Sequence, residues 1–178
     1  MAFHREKFKT LIHYICWKVQ NPLALGATKL NKVLWYSDLL AFLNFGHAVA
    51  GAKFIKREFG PVPPAVIPLL DELQSDGSIA IRETNYRGKP KRDFFALREP
   101  DLNAFSQKEI ALVDDVIVAV CMKHTAKSIS DLTHNDAWEM AEIGEEMPLF
   151  TAFSARKAEI DEDDVVWADS QIAELPVV

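Results

Sequence analysis

The sequence predicts a mainly α, α+β protein: a compact helical domain carrying a small β-hairpin of winged-helix type. Apolar residues recur at three- and four-residue steps through most of the chain. Two short β-prone runs flank one turn-rich stretch, Asn85-Tyr86-Arg87-Gly88-Lys89-Pro90. The composition, 49% hydrophobic and 26% charged over 178 residues, is that of an ordinary globular chain. A chain of this length buries about 70% of its unfolded surface, enough to hold a core without a disulfide or a metal.

The first helix is expected over 5–20, on the stripe Phe8, Leu11, Ile12, Ile15, Cys16 and Val19, with Asn21-Pro22 ending it. Thr28 is read as the N-cap of a second helix that carries Leu30, Val33, Leu34, Leu40, Ala41 and Leu43 and closes at Gly46. Lys29, Lys32, Trp35, Tyr36 and Asp38 interleave, so more than one face of it is occupied. Residues 50–59, with Phe54 and Ile55, suit a short extended segment. Gly60-Pro61-Val62-Pro63-Pro64 reads as a rigid turn into a third helix over 64–74, because proline at the first helical position gives up an amide that would be unpaired anyway. The runs 79–84 and 94–98 are the strands of the hairpin. Ser106-Gln107-Lys108-Glu109 is a capping box that opens a core helix reaching about His124. Short helices over 128–133 and 136–142, an extended 147–153, and a last helix running from Asp161-Glu162-Asp163-Asp164 to Ala173 complete the reading.

Cys16 and Cys121 both sit in apolar helical patterns, as buried thiols do in a reducing compartment. No apolar run approaches the ~20 residues of a membrane span, so a cytoplasmic protein without a membrane partner is expected. The charge is divided. Residues 1–98 carry 15 Lys/Arg against 8 Asp/Glu, and residues 99–178 carry 5 against 18. Such a division suits an anionic partner at one end, or attraction between the two halves, and the second is the simpler reading.

The residues argue against chemistry of their own. The five histidines are scattered and no C-x-x-C occurs, so neither a metal nor another cofactor is expected. Phosphate-cradling glycine loops and the nucleophile elbow are absent from the sequence. His13 and Cys16 share a helix face as a base and a nucleophile would, but Cys16 belongs to the apolar stripe. His134 with Asp136 has the make-up of an acid/base pair, yet the same residues read more simply as a helix entry with Trp138 packed beneath it. No enzyme is expected. The alternative is a winged-helix DNA-binding regulator holding phosphates through Arg87, Lys89, Lys91 and Arg92. Against it, residues 65–74 hold no base-reading cation, which favours a protein partner over nucleic acid.

Four stretches carry a resemblance: Lys29-Leu30-Asn31-Lys32-Val33-Leu34-Trp35-Tyr36-Ser37-Asp38, then Phe54-Ile55-Lys56-Arg57-Glu58, then Phe59-Gly60-Pro61-Val62-Pro63, then Leu132-Thr133-His134-Asn135-Asp136-Ala137-Trp138. Together they resemble the Panacea antitoxin domain, the SocA-like family also labelled phage-associated proteins, over about residues 8–143. Lys29, Leu30, Lys32, Asp38, His134 and Trp138 fall on the motif positions. The resemblance implies the antitoxin of a bacterial or prophage toxin–antitoxin pair, neutralising a toxin encoded next to it by direct protein contact. One branch of the family resembles a proteolytic adaptor that hands its toxin to a cytoplasmic ATP-dependent protease. The expected organisation is a Panacea-like domain over 1–143 and an acidic extension over 144–178, packed on it or trailing from it, without the extra DNA-binding domain that many members carry. Rigidity and aromatic density place the expected toxin contacts at Trp35, Tyr36, Arg57, Phe59, Gly60, Pro61 and Val62, beside Phe42 and Phe45. A homo-oligomer is left open.

Overall fold

A computed structural model describes residues 2–86 and 88–151. Helices α1 (Arg5–Val19) and α2 (Ala27–Phe45) form the centre. Phe8, Leu11, Ile12 and Ile15 of α1 and Leu30, Val33 and Leu34 of α2 are buried in one continuous core. Around them stand α3 (Val66–Ser75), α4 (Gln107–Ile117), α5 (Ala126–Thr133) and the short α6 (Asp136–Met140). Two separate antiparallel hairpins complete the fold, β1 (Ile55–Arg57) with β2 (Gly60–Val62) and β3 (Ile79–Tyr86) with β4 (Lys89–Ala96). The mainly α, α+β class expected from the sequence is the class observed.

Several boundaries differ, each for a local reason. Thr28 is not the N-cap of α2: Gly26 holds that place in an extended conformation, and its carbonyl accepts from Leu30 N at 2.9 Å. Glycine at an N-cap gives up only a few tenths of a kcal/mol against threonine, so position rather than chemistry decided. Helix α1 ends at Val19, one residue early, with Gln20 in the left-handed region at φ 51°. Helix α3 begins at Val66, not at Pro64, which lies in the turn before it. The capping box at Ser106 and Glu109 is present, but the helix it opens does not stay α to His124: Val118–Lys123 is a π-helical turn. Lys29 Nζ donates to the Cys121 carbonyl of that turn at 2.9 Å.

The stretch expected as a proline turn, 60–64, is in part a strand, because Pro61 sits where a strand tolerates it. Register pairs Arg57 with Gly60 and Lys56 with Pro61 around the two-residue turn Glu58-Phe59. The closing pair of such a turn exchanges the hydrogen bonds, so the next pair inward exchanges none and the missing N–H of Pro61 goes unused. Lys56 points its backbone the other way, donating to Glu145 O at 2.8 Å and accepting from Gly144 N at 2.9 Å. Hairpin β3–β4 repeats the device. Asn85 pairs with Pro90 one step inside Tyr86 and Lys89, so most of the expected turn 85–90 is strand, with Gly88 at φ 80° just before Lys89; Arg87 lies outside the described residues.

Residues 144–147 run along the free edge of β1, with Met147 N donating to Phe54 O at 2.7 Å. Met147 and Leu149 are buried. Residues 149–151 form a 3-10 turn instead of the expected extended segment, closed by Thr151 N to Pro148 O at 3.0 Å. The helix expected from Asp161 to Ala173 lies outside the described residues.

Candidate interaction site

The motif residues converge on hairpin β1–β2 from three directions. Lys32, on α2, is 1% exposed and donates its ammonium to the Phe59 carbonyl at the hairpin tip. Burial, with no carboxylate among the groups acting on it, pulls the Lys32 amine down from 10.5 to about 7. Gly60 closes the tip at φ 99°, and the place a Cβ would take there is already filled by Lys32 Nζ and Thr133 Oγ1. Only glycine satisfies both the angle and the approach. Thr133 is buried at the end of α5 and donates to Ser130 O at 2.8 Å.

The second anchor is aromatic. His134 stacks on Trp138 with ring centroids 3.7 Å apart and planes 9° from parallel, and Trp138 Nε1 donates to Arg57 O at 3.3 Å. Lys56 lies with Nζ 3.8 Å from the centroid of the Trp138 ring and donates to Ala141 O at 3.0 Å. Asn135 caps α6 by accepting from Trp138 N at 3.1 Å, which sets the indole in place. His134 is lowered from its ordinary value by desolvation first and by the charge of Lys32 second, and its Nε2 is buried without a hydrogen-bond partner among the described residues. The structural reading of the His134–Asn135–Asp136 cluster therefore accounts for its geometry.

The third anchor is Asp38. Fully buried on α2, it accepts from Ala50 N at 2.8 Å and Ala52 N at 3.0 Å, pinning the chain that leads into β1. Burial pushes its carboxyl up, against the pull of those amides. Lys29 reaches the π-helical turn and Leu30 lies in the core. Every motif position is thus a structural anchor, and four of the six act on the hairpin or the chain entering it.

Of the expected contact residues, Trp35 is corrected to core: it is 5% exposed and packs edge-on against Phe54 at 5.0 Å. Gly60 and Pro61 are buried as well, and Tyr36 and Val62 are half-buried. The hairpin presents Arg57, Glu58 and Phe59, the last 56% exposed. Lys56 and Thr133 lie in stretches the sequence singles out, 54–58 and 132–138, but sequence reasoning gave neither of them a role.

The other candidate groups resolve differently. Cys16 and His13 make no reactive pair: burial pushes the thiol up to about 12, and His13 Nε2 is engaged with Arg98 O at 2.9 Å. On hairpin β3–β4, Arg82 and Lys91 both pair with Asp93, and Arg92 pairs with Glu83 at 3.5 Å, so three of the wing's cations share two carboxylates. Lys89 is exposed, and Arg87 lies outside the described residues. Among the described residues no three His, Cys, Asp or Glu side chains gather as a metal requires, and no helix is long and apolar enough to cross a membrane. A groove of about 720 Å³ runs between α2 and the layer of α4, the π-helical turn and α5, walled by Leu40, Leu112, Val116, Ala119, Ile129 and Leu132.

Buried side chains thus hold a short hairpin of a mainly helical domain whose tip is left in solvent. The chain matches the family model for the SocA-like antitoxin, Panacea domain, over residues 30–139, and it belongs to that family. No curated protein and no solved structure matches it significantly.

Proposed function

We propose that the chain is the antitoxin of a bacterial or prophage toxin–antitoxin pair, acting in the cytoplasm and neutralising its toxin by direct protein contact through the tip of hairpin β1–β2. One observation carries this reading. The family's motif positions immobilise the hairpin backbone, through Lys32 on Phe59 O and Trp138 on Arg57 O, while the side chains of Arg57 and Phe59 remain in solvent. A preordered aromatic and an arginine on a rigid turn bind with little entropy left to lose, which is how interface hot spots gain their affinity. Tyr36, half-buried on α2, lines the groove between α2 and α4, and Val62 pairs with Ile55 at the base of the hairpin.

The test is coexpression with the protein encoded next to it. Growth arrest by the neighbour, relieved by this chain with recovery of a stable complex, is the expected result. Phe59→Asp, with the fold intact by circular dichroism, is expected to weaken that complex by at least ~2 kcal/mol, or about 30-fold. Rescue without a lasting complex, dependent on an ATP-dependent protease, assigns the adaptor mechanism instead. A neighbour that is harmless alone removes the antitoxin reading.

A further inference from the structure

The groove between α2 and the layer of α4, the π-helical turn and α5 is left uncovered by every described residue. Its lining is mostly apolar, with Tyr36, Asn44, Lys108, Asp115 and His124 the polar or charged exceptions. Ala111 and Ala119 lie along one wall, small enough for a second helix to approach closely. From Lys108 to Val120 that wall is ~15–18 Å long, about three helical turns. Lys108 stands at one end, Lys123 and Lys127 flank the other, and none of the three is in an ion pair among the described residues.

The sequence after Thr151 supplies a matching occupant. Its 27 residues carry 2 Lys/Arg against 7 Asp/Glu. Val165, Ala168, Ile172 and Leu175 recur at i, i+3, i+7 and i+10, one stripe of a helix, with four acidic residues at 161–164 before it and Pro176 after it. A helix of this length is marginal alone in water, so such a stripe needs a surface. Residues 152–160 span up to ~30 Å when extended, and a body of this size has a radius of gyration of ~15 Å, so the segment can reach the groove.

We infer that segment 161–175 docks in this groove of its own chain, laying Val165, Ala168, Ile172 and Leu175 against Leu40, Leu112, Val116 and Leu132. The chain approaches from the side of β1, whose edge residues 144–147 occupy, and α5 packs on β2. The acidic leading end therefore meets Lys123 and Lys127, and the stripe runs on toward Lys108. This docking requires no toxin and stands whether or not the chain is an antitoxin.

Hydrogen exchange on the full chain tests it. Amides of 165–175 are expected to exchange at least about tenfold more slowly than in an unstructured peptide, which is ~1.4 kcal/mol of protection, at every protein concentration. Ile172→Asp in the segment and Leu132→Asp at the exposed lip of the groove are each expected to remove that protection and to speed exchange in the π-helical turn, with β3–β4 unchanged. Unprotected amides in the unmutated chain overturn the proposal. Protection that survives Leu132→Asp overturns it by placing the segment elsewhere, and protection that rises with concentration overturns it in favour of a second copy.

Discussion

Lys32 is the residue whose chemistry most depends on where the fold puts it. An amine at 1% exposure, bonded to the Phe59 carbonyl, is better accommodated neutral than charged. Its folded value of about 7 lies below the ordinary 10.5, so between those limits the unfolded chain holds a proton that folding expels. Stability from this group therefore rises with pH through that window and is lowest below it, with a slope of at most ~1.4 kcal/mol per pH unit. Lys32→Met removes the titrating amine and keeps the stem. Denaturant unfolding at about pH 7 and about pH 9 is expected to show a larger gain for the unmutated chain than for the variant. Parallel profiles would mean that the amine keeps its charge in the fold. Gly60, against which that amine lies, was legible in the sequence as a turn glycine. That its missing Cβ makes room for Lys32 and Thr133 was not, because neither residue is near it in the chain.

At the scale of elements, both hairpins owe their shape to a proline placed one step inside the closing pair. Pro61 and Pro90 each stand where the ladder needs no N–H. Proline density made 60–64 look like a turn, and Asn85, Gly88 and Pro90 together made 85–90 look like one, since local composition reports the residue but not the parity of its pairing. Short β1–β2 would not hold alone, because an isolated two-stranded hairpin is marginal in water. Residues 144–147 on one edge and Trp138 beneath Arg57 hold it. Trp138→Ala takes away the indole bond, the His134 stack and the ring under Lys56, and is expected to cost ~2 kcal/mol, less than a fully buried tryptophan because Trp138 is half-buried. Exchange of the Lys56 amide, bonded to Glu145 O, and of the Gly60 amide, in the closing pair with Arg57, should quicken before that of α1. Uniform quickening across the molecule would mean that Trp138 supports the core rather than the hairpin. The π-helical turn is likewise invisible to periodicity: Val120 and Cys121 continue the apolar stripe of α4, and only the packing of Lys29 on Cys121 O marks the widened turn.

Across the whole molecule, the charge division is in part answered internally. Lys7 meets Glu109, Lys18 meets Asp114 and Lys53 meets Glu146, each joining the basic first half to the acidic second. The wing, which carried the case for nucleic acid, has Arg82, Lys91 and Arg92 engaged by Asp93 and Glu83, and α3 exposes Ile67, Pro68, Asp71 and Gln74 with no cation. With few phosphate-seeking charges free, duplex DNA is expected to bind weakly or not at all at physiological salt. A mobility shift with a steep salt dependence would restore the regulator reading.

The sequence by itself determined the helical class, the core stripes of α1 and α2, the capping box at Ser106 and the motif positions, because periodicity, caps and motif spacing are local. Tertiary structure alone decided what those positions do. Trp35 passed from expected contact to core, Lys32 and His134 became anchors, and Phe59 stayed in solvent on a backbone held by α2, α5 and α6. Burial and partnership depend on residues distant in the chain, and the amphipathic pattern that makes a helix says nothing about which neighbour will lie against each face.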